Sequence, residues 1–300
     1  MAHTGNDGKR PTARHQLRRE APSTVAVLAD ERDFAAMRRY ETFSFDDHPA
    51  YLRQMEGLLR TLAAQGVHIT VALFDPVGYE EFCARTRLDP DAPASRSRYT
   101  AHLGTAGGTV PYEGQPIDRL LPHLIDTAER QATWEYATGL LSRSSRCGGC
   151  GDDRAEDAFA RASHILRLLL EAAGHGEHHL VCSIPADGAP LIAVLHTERR
   201  PDGVTQVPQT QALVFCTVLA AGLSTASSGG VVLRTTAPDG RERVRGWALH
   251  DDWLRPLSEA EIFAAYCTDA DTGEPVPPEH GVEYLAATAL VRPPEAGETH

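Results

Sequence analysis

Lysine is nearly missing from this chain of 300 residues: of 29 basic residues only Lys9 is a lysine, and the other 28 are arginines. The shortage excludes chemistry. A P-loop needs a lysine on the β- and γ-phosphates, a protein kinase a strand lysine, a pyridoxal enzyme a Schiff-base amine and a Ser-Lys hydrolase its base. No segment expected to fold supplies one. The same skew, with abundant Ala, Gly, Asp and Pro, is typical of chains encoded by high-GC genomes, actinobacterial ones among them.

Long apolar runs are missing too. None approaches the roughly 18 residues of a bilayer-spanning helix. The basic N-terminus has no apolar stretch behind it, which argues against a secretory signal. The six cysteines are therefore expected as reduced thiols in a cytoplasm, and their even number is no argument for disulfides. Positive charge is short overall: 29 basic against 41 acidic residues leave a net charge of -12, which disfavours a general nucleic-acid surface. The exception is a crowd of five basic residues, Lys9, Arg10, Arg14, Arg18 and Arg19. Residues 1–22 are expected to form a disordered basic arm, the one segment suited to nucleic acid or to an acidic partner. Residues 293–300 are expected to be a disordered tail.

What is present suffices for a sizeable core, at 42% hydrophobic and 23% charged residues. The run Thr24 to Leu28 reads as a buried strand ending at Asp30. A short helix carries Phe34, Met37 and Tyr40. A better helix is capped by Asp46 or Asp47, with Pro49 in its first turn. Its stripe is Leu52, Met55, Leu59 and Leu62, and Gly66 ends it. Val67 to Phe74 reads as a second buried strand, so strand, helices and strand form one parallel crossover unit.

Asp75-Pro76 caps another helix, and residues 90–114, rich in Pro, Gly, Ser and Thr, read as a long loop. A long helix is expected from near Pro122, and a second amphipathic one carries Phe159, Ala162, Leu166, Leu169 and Leu170. Beyond it the pattern becomes antiparallel hairpins around Asp187-Gly188 and Asp239-Gly240. Between the hairpins, residues 211–223 are apolar on nearly every face, as in a buried helix. The fold class is therefore α/β, with a mixed sheet, an N-terminal parallel βαβ unit, C-terminal antiparallel hairpins and helices on both faces. Residues 23–292 are expected as one domain with a single mixed sheet, any subdivision falling near 143–153.

Three constellations carry candidate chemistry. Cys147-Gly-Gly-Cys150-Gly, followed by His175, His178 and His179, offers C-x2-C-x24-H-x2-H to one tetrahedral zinc. The alternatives for the same cysteines are idle thiols in a flexible helix–helix turn and a redox pair. Asp152, Asp153 and Glu156 disfavour a thiolate there unless a cation is present.

Asp30 and Asp75 close the two parallel strands, where ligands of open α/β sheets bind, and two carboxylates there suit Mg²⁺. Both also suit helix caps. His48 beside Asp46 and Asp47, and His250 beside Asp251 and Asp252, have the pattern of acid–base histidines. His196 reads as a half-buried sheet residue.

The preferred function is a soluble cytoplasmic regulatory or interaction protein that meets a protein partner, with a structural zinc at the CxxC. The alternatives are a metal-dependent enzyme with catalytic Asp30, Asp75 and His48, and a thiol redox protein using Cys147 and Cys150.

Overall fold

The computed structural model describes residues 23–144, 151–187, 189–269 and 272–292. The expected basic arm, Cys147, Cys150 and the expected tail lie outside these residues. The chain divides into two compact units, the first ending at Gln131 and the second beginning at Ala132.

The first unit begins with β1 (Ser23–Val27), α1 (Glu31–Met37), α2 (His48–Ala64) and β2 (Ile69–Leu73). It continues through α3 (Pro76–Thr86), α4 (Pro93–Ala106) and β3 (Val110–Pro111). β1 and β2 are adjacent and parallel, in register from Ser23 opposite Ile69 to Val27 opposite Leu73. The crossover read from two apolar runs is therefore present.

The capping reading also holds. Asp47 accepts the Ala50 N–H ahead of Pro49, and Gly66 follows α2 with φ at 74°, a left-handed conformation that glycine adopts without steric cost. The core gathers Val27, Leu28, Phe34, Met37, Tyr51, Leu59, Val71 and Tyr79.

Residues 90–114 are not the expected long loop. Fourteen of them form α4, and two form β3, which pairs antiparallel with β2. α4 has no side-chain cap and a weak apolar stripe, but it buries Ser95 and Tyr99. Tyr99 packs against Phe74, Tyr79 and Phe82, with ring centroids 5.1–5.4 Å apart. Tertiary contact, rather than periodicity, makes this segment helical. The glycine-rich stretch 104–109 accordingly supplies part of α4, and Gly107 and Gly108 end it with φ at 99° and 71°.

Helix α5 (Ile117–Ser144) starts five residues before Pro122, which lies inside it, and the division between the units falls within this helix. The second unit continues with α6 (Gly151–Ala173), β4 (Gly176–Ile184), β5 (Leu191–Arg199), β6 (Thr205–Gln206) and α7 (Gln209–Ser224). It ends with β7 (Gly230–Thr236), β8 (Glu242–His250), β9 (Trp253–Pro256), α8 (Glu259–Tyr266) and β10 (Val282–Tyr284).

Among the described residues the single sheet expected is in fact two. β1, β2 and β3 form one, and seven strands in the order β10-β8-β7-β4-β5-β6, with β9 beside β8, form the other. A parallel pair alone is marginal, and β3 supplies the local partner. A two-residue strand has too few positions to show a period of two, so it was hidden in the apparent loop.

The seven-stranded sheet has two unlike faces. On one, Leu180, Cys182, Leu195, Val231, Leu233 and Trp247 pack beneath α6 and α7. Val244, one pleat away, faces the other side and meets Ile262 of α8 and Tyr284 of β10. Helices thus cover both faces, but α8 reaches only the β8 side. None of the described helices is long and apolar enough to cross a membrane.

At Gly222 of α7, an added Cβ would stand 2.7 Å from Ile184 Cγ2 and 2.9 Å from Leu249 Cδ1. Gly222→Ala is therefore expected to destabilise the protein by about 1–3 kcal/mol. Chemical denaturation measures this, and an unchanged midpoint would show that helix and sheet are not so closely packed.

Candidate functional site

The carboxyl edge of β1 and β2 is built from caps. Asp30 accepts the Asp33 N–H at 2.8 Å, and Asp75 accepts those of Val77 and Gly78 at 2.9 and 3.0 Å. Each carboxylate thus satisfies donors that have no intrahelical partner. Asp33 completes the group: its carboxyl pKa is raised by partial burial first, then by Asp30 and Asp75. Three carboxyls feel one another here, yet among the described residues no three of His, Cys, Asp and Glu converge as a metal site.

His48 is tied to backbone. Its Nε2 lies 3.1 Å from the Leu28 carbonyl oxygen, while the Tyr51 hydroxyl oxygen accepts the Leu28 N–H at 3.1 Å. Leu28 is buried just past the end of β1, where the ladder no longer satisfies its polar groups. Two side chains of α2 do so instead, and burial pushes the Tyr51 hydroxyl up to about 12. The structure therefore brings Asp30, Asp75 and His48 to one end of the strands, each with a local structural partner.

The histidines after α6 do not act as one group. His178 is buried with both ring nitrogens engaged: Nδ1 is 3.1 Å from Thr235 Oγ1, and Nε2 is 3.2 Å from the Gly174 carbonyl oxygen. His175 Nδ1 is 3.0 Å from the Arg200 carbonyl oxygen. His179, next in β4 after His178, points to the opposite face, as strand alternation requires. Thiols elsewhere are shut in: Cys182 and Cys216 are buried, which pushes them up to about 12 and about 11.

His250 Nδ1 meets Asp251 Oδ2 at 2.9 Å in an exposed turn. Asp251 and Asp252 there adopt φ of 44° and 60°, the left-handed pair of a two-residue hairpin. The Asp252 carboxylate is held by Arg161 and Arg292.

The larger site had no motif in the sequence. A trough of about 470 Å³ lies on the outer side of β4, β5 and β7, lined by Glu177, His179, His196, Glu198, Arg234 and Glu242. Strand register sets its rows. Glu198 and Glu177 stand directly opposite, with Thr236 beyond; His196 and His179 are opposite, with Arg234 beyond; then come Val194, Val181 and Val232.

The two imidazole centroids are 4.2 Å apart. The His196 N–H donates to Gln211 Oε1, away from β4, so His179 and His196 form a non-hydrogen-bonded pair, the closer kind. His196 is exposed, not half-buried as the sequence suggested. His179 is held below the usual histidine range by desolvation, then by His196 and Arg234. Arg234 donates to both oxygens of Glu279, at 2.8 and 2.9 Å, and to Glu242. Only the pairing of β4 with β5 and β7 brings these residues together, and alternation with His at 179 and 196 was the sole advance sign.

Residues 12–115 match a domain of unknown function, DUF8829. The match runs through β3 and so takes in the whole three-stranded sheet. No curated protein matches the chain. No solved structure does either.

Asp75→Ala is expected to cost about 1 kcal/mol of stability whether or not Mg²⁺ is added. A Mg²⁺-dependent rise in the wild-type melting temperature that Asp75→Asn abolishes would instead mark the edge as a cation site.

The histidines set a pH dependence. His178 and His179 both have folded pKa values below 6.5, their ordinary value, chiefly through burial. The unfolded chain therefore binds more protons, so stability is full above about pH 6.5 and falls as pH drops toward the depressed values. In urea melts between about pH 7 and 5, His179→Gln should lose stability less steeply than wild type. An identical slope would show that His179 titrates normally.

Proposed function

We propose that the protein is a non-catalytic regulatory or interaction protein, and that the outer face of β4 and β5 receives an arginine-bearing segment of a protein partner. The observation that carries this is the pair Glu177 and Glu198. They stand directly across adjacent strands, no basic group pairs with either among the described residues, and like charges so placed destabilise a sheet. A cation laid between them removes that cost.

The next two rows suit the rest of an arginine side chain. Neutral imidazoles offer flat surfaces on which a guanidinium stacks, and Val181 and Val194 offer apolar surface to its stem. Ile192, 48% exposed, extends that surface. Arg234 is already neutralised by two glutamates and does not repel such a guest.

A metal-dependent enzyme centred on Asp30, Asp75 and His48 is the second reading. What favours it is the raised pKa of Asp33 beside Asp30 and Asp75. The Mg²⁺ comparison at Asp75 separates the two readings.

The test is fluorescence anisotropy of a labelled nine-arginine peptide against the full chain. Because the chain carries a net charge of -12, specificity is judged by variants. Glu177→Gln with Glu198→Gln should weaken binding about tenfold, and Glu31→Gln with Glu81→Gln in the first unit should leave it within about twofold. Equal losses in both variants, or no binding by wild type, would defeat the proposal.

A further inference from the structure

His179 and His196 meet across β4 and β5 with ring centroids 4.2 Å apart and ring planes at 61°. Both line the trough and both are exposed. The rings of His48, His175, His178 and His250 are each tied to a neighbour. Neither ring of the cross-strand pair has a hydrogen bond or ion pair among the described residues. A neutral imidazole carries a nitrogen lone pair, the form in which histidine binds metals, and here neither lone pair is spent on the protein.

The spacing favours one kind of ion. With metal–nitrogen bonds of about 2.0–2.1 Å, rings whose centroids lie 4.2 Å apart subtend roughly a right angle at a shared metal. A right angle joins neighbouring positions of the tetragonal geometry that Cu²⁺ and Ni²⁺ favour, whereas tetrahedral zinc sets its ligands wider apart. Exposed side chains on a rigid pair of strands are free to turn their lone pairs together.

The rest of the wall is compatible with a dication. Glu177, Glu198 and Glu242 bring three negative charges against one guanidinium, that of Arg234, which Glu242 and Glu279 already hold. His178 and Thr197 are buried on the other side of the pleat, and Gln206, Pro208 and Thr236 bring no charge. No third His, Cys, Asp or Glu converges on the pair among the described residues, so water fills the remaining positions of the ion.

We infer that His179 and His196 together bind one divalent late transition-metal ion, of the Cu²⁺ or Ni²⁺ kind, as neighbouring ligands that bridge β4 and β5. The inference does not rest on the proposed partner, whose reading is carried by the glutamates.

Urea denaturation of the full chain at about pH 7.5, with and without NiCl₂, tests the site. An ion held between two strands binds the folded chain in preference to the unfolded one, so about 1 mM Ni²⁺ should raise the wild-type midpoint. His179→Gln and His196→Gln, at exposed positions, should each abolish the rise, because one imidazole cannot chelate. His250→Gln, at an exposed histidine elsewhere, should keep it. Isothermal titration should show a Kd of about 10 μM, weakened at least about tenfold by either of the first two variants. No nickel-dependent rise in wild type, an equal rise in His179→Gln or His196→Gln, or an equal loss in His250→Gln would each overturn the inference. The arginine-peptide test, run without metal, is untouched by any of these outcomes.

Discussion

Helix α7 has no side suited to water, and the second unit is arranged to give it none. Ten consecutive residues, Val214 to Leu223, are buried. A helix apolar all round must be enclosed, and here the enclosure is the sheet on one side and α6 on the other. Gly222 lets helix and sheet approach closely at Ile184 and Leu249. Because α6 and α7 occupy one face of β4 and β5, the opposite face of these strands stays exposed. The trough of histidines and glutamates is a consequence of where the apolar helix had to go.

Pleat alternation then divides neighbouring residues between two environments. His178 and His179 are adjacent in sequence, yet one is locked between Thr235 and Gly174 inside the core and the other stacks edge-on to His196 outside. Arg199 ends the inward row that begins with Leu191, which sets it beneath α6, whereas Glu198 beside it belongs to the outward row. One strand, β5, thus serves both faces of the sheet, and neighbouring substitutions along it act on opposite faces.

In the first unit the recurring device is a polar side chain that closes a backbone end. Asp30, Asp47 and Asp75 each cap a helix, and Tyr51 with His48 finishes β1 at Leu28. Such groups collect where strands stop, which is also where α/β proteins place their ligands. Position alone therefore does not separate a cap from a catalytic carboxylate. Both oxygens of Asp75 accept backbone N–H groups, as a cap requires, and each keeps a lone pair for a further donor or cation.

Local chemistry made much of this legible beforehand. Buried strand runs, helix stripes, the Asp caps, the Gly66 stop and the β4–β5 and β7–β8 hairpins rest on interactions within a few residues of one another, and the parallel β1–β2 pair follows from them. Three features depended on distant partners. α4 has little periodicity of its own and is helical because Tyr99 finds Phe74, Tyr79 and Phe82. β3, two residues long, exists only as an addition to β2. The trough exists only in the register that sets Glu177 against Glu198 and His179 against His196. Residues some twenty positions apart carry no signal of such a meeting, because strand register is fixed by the core face and the polar face is simply carried along.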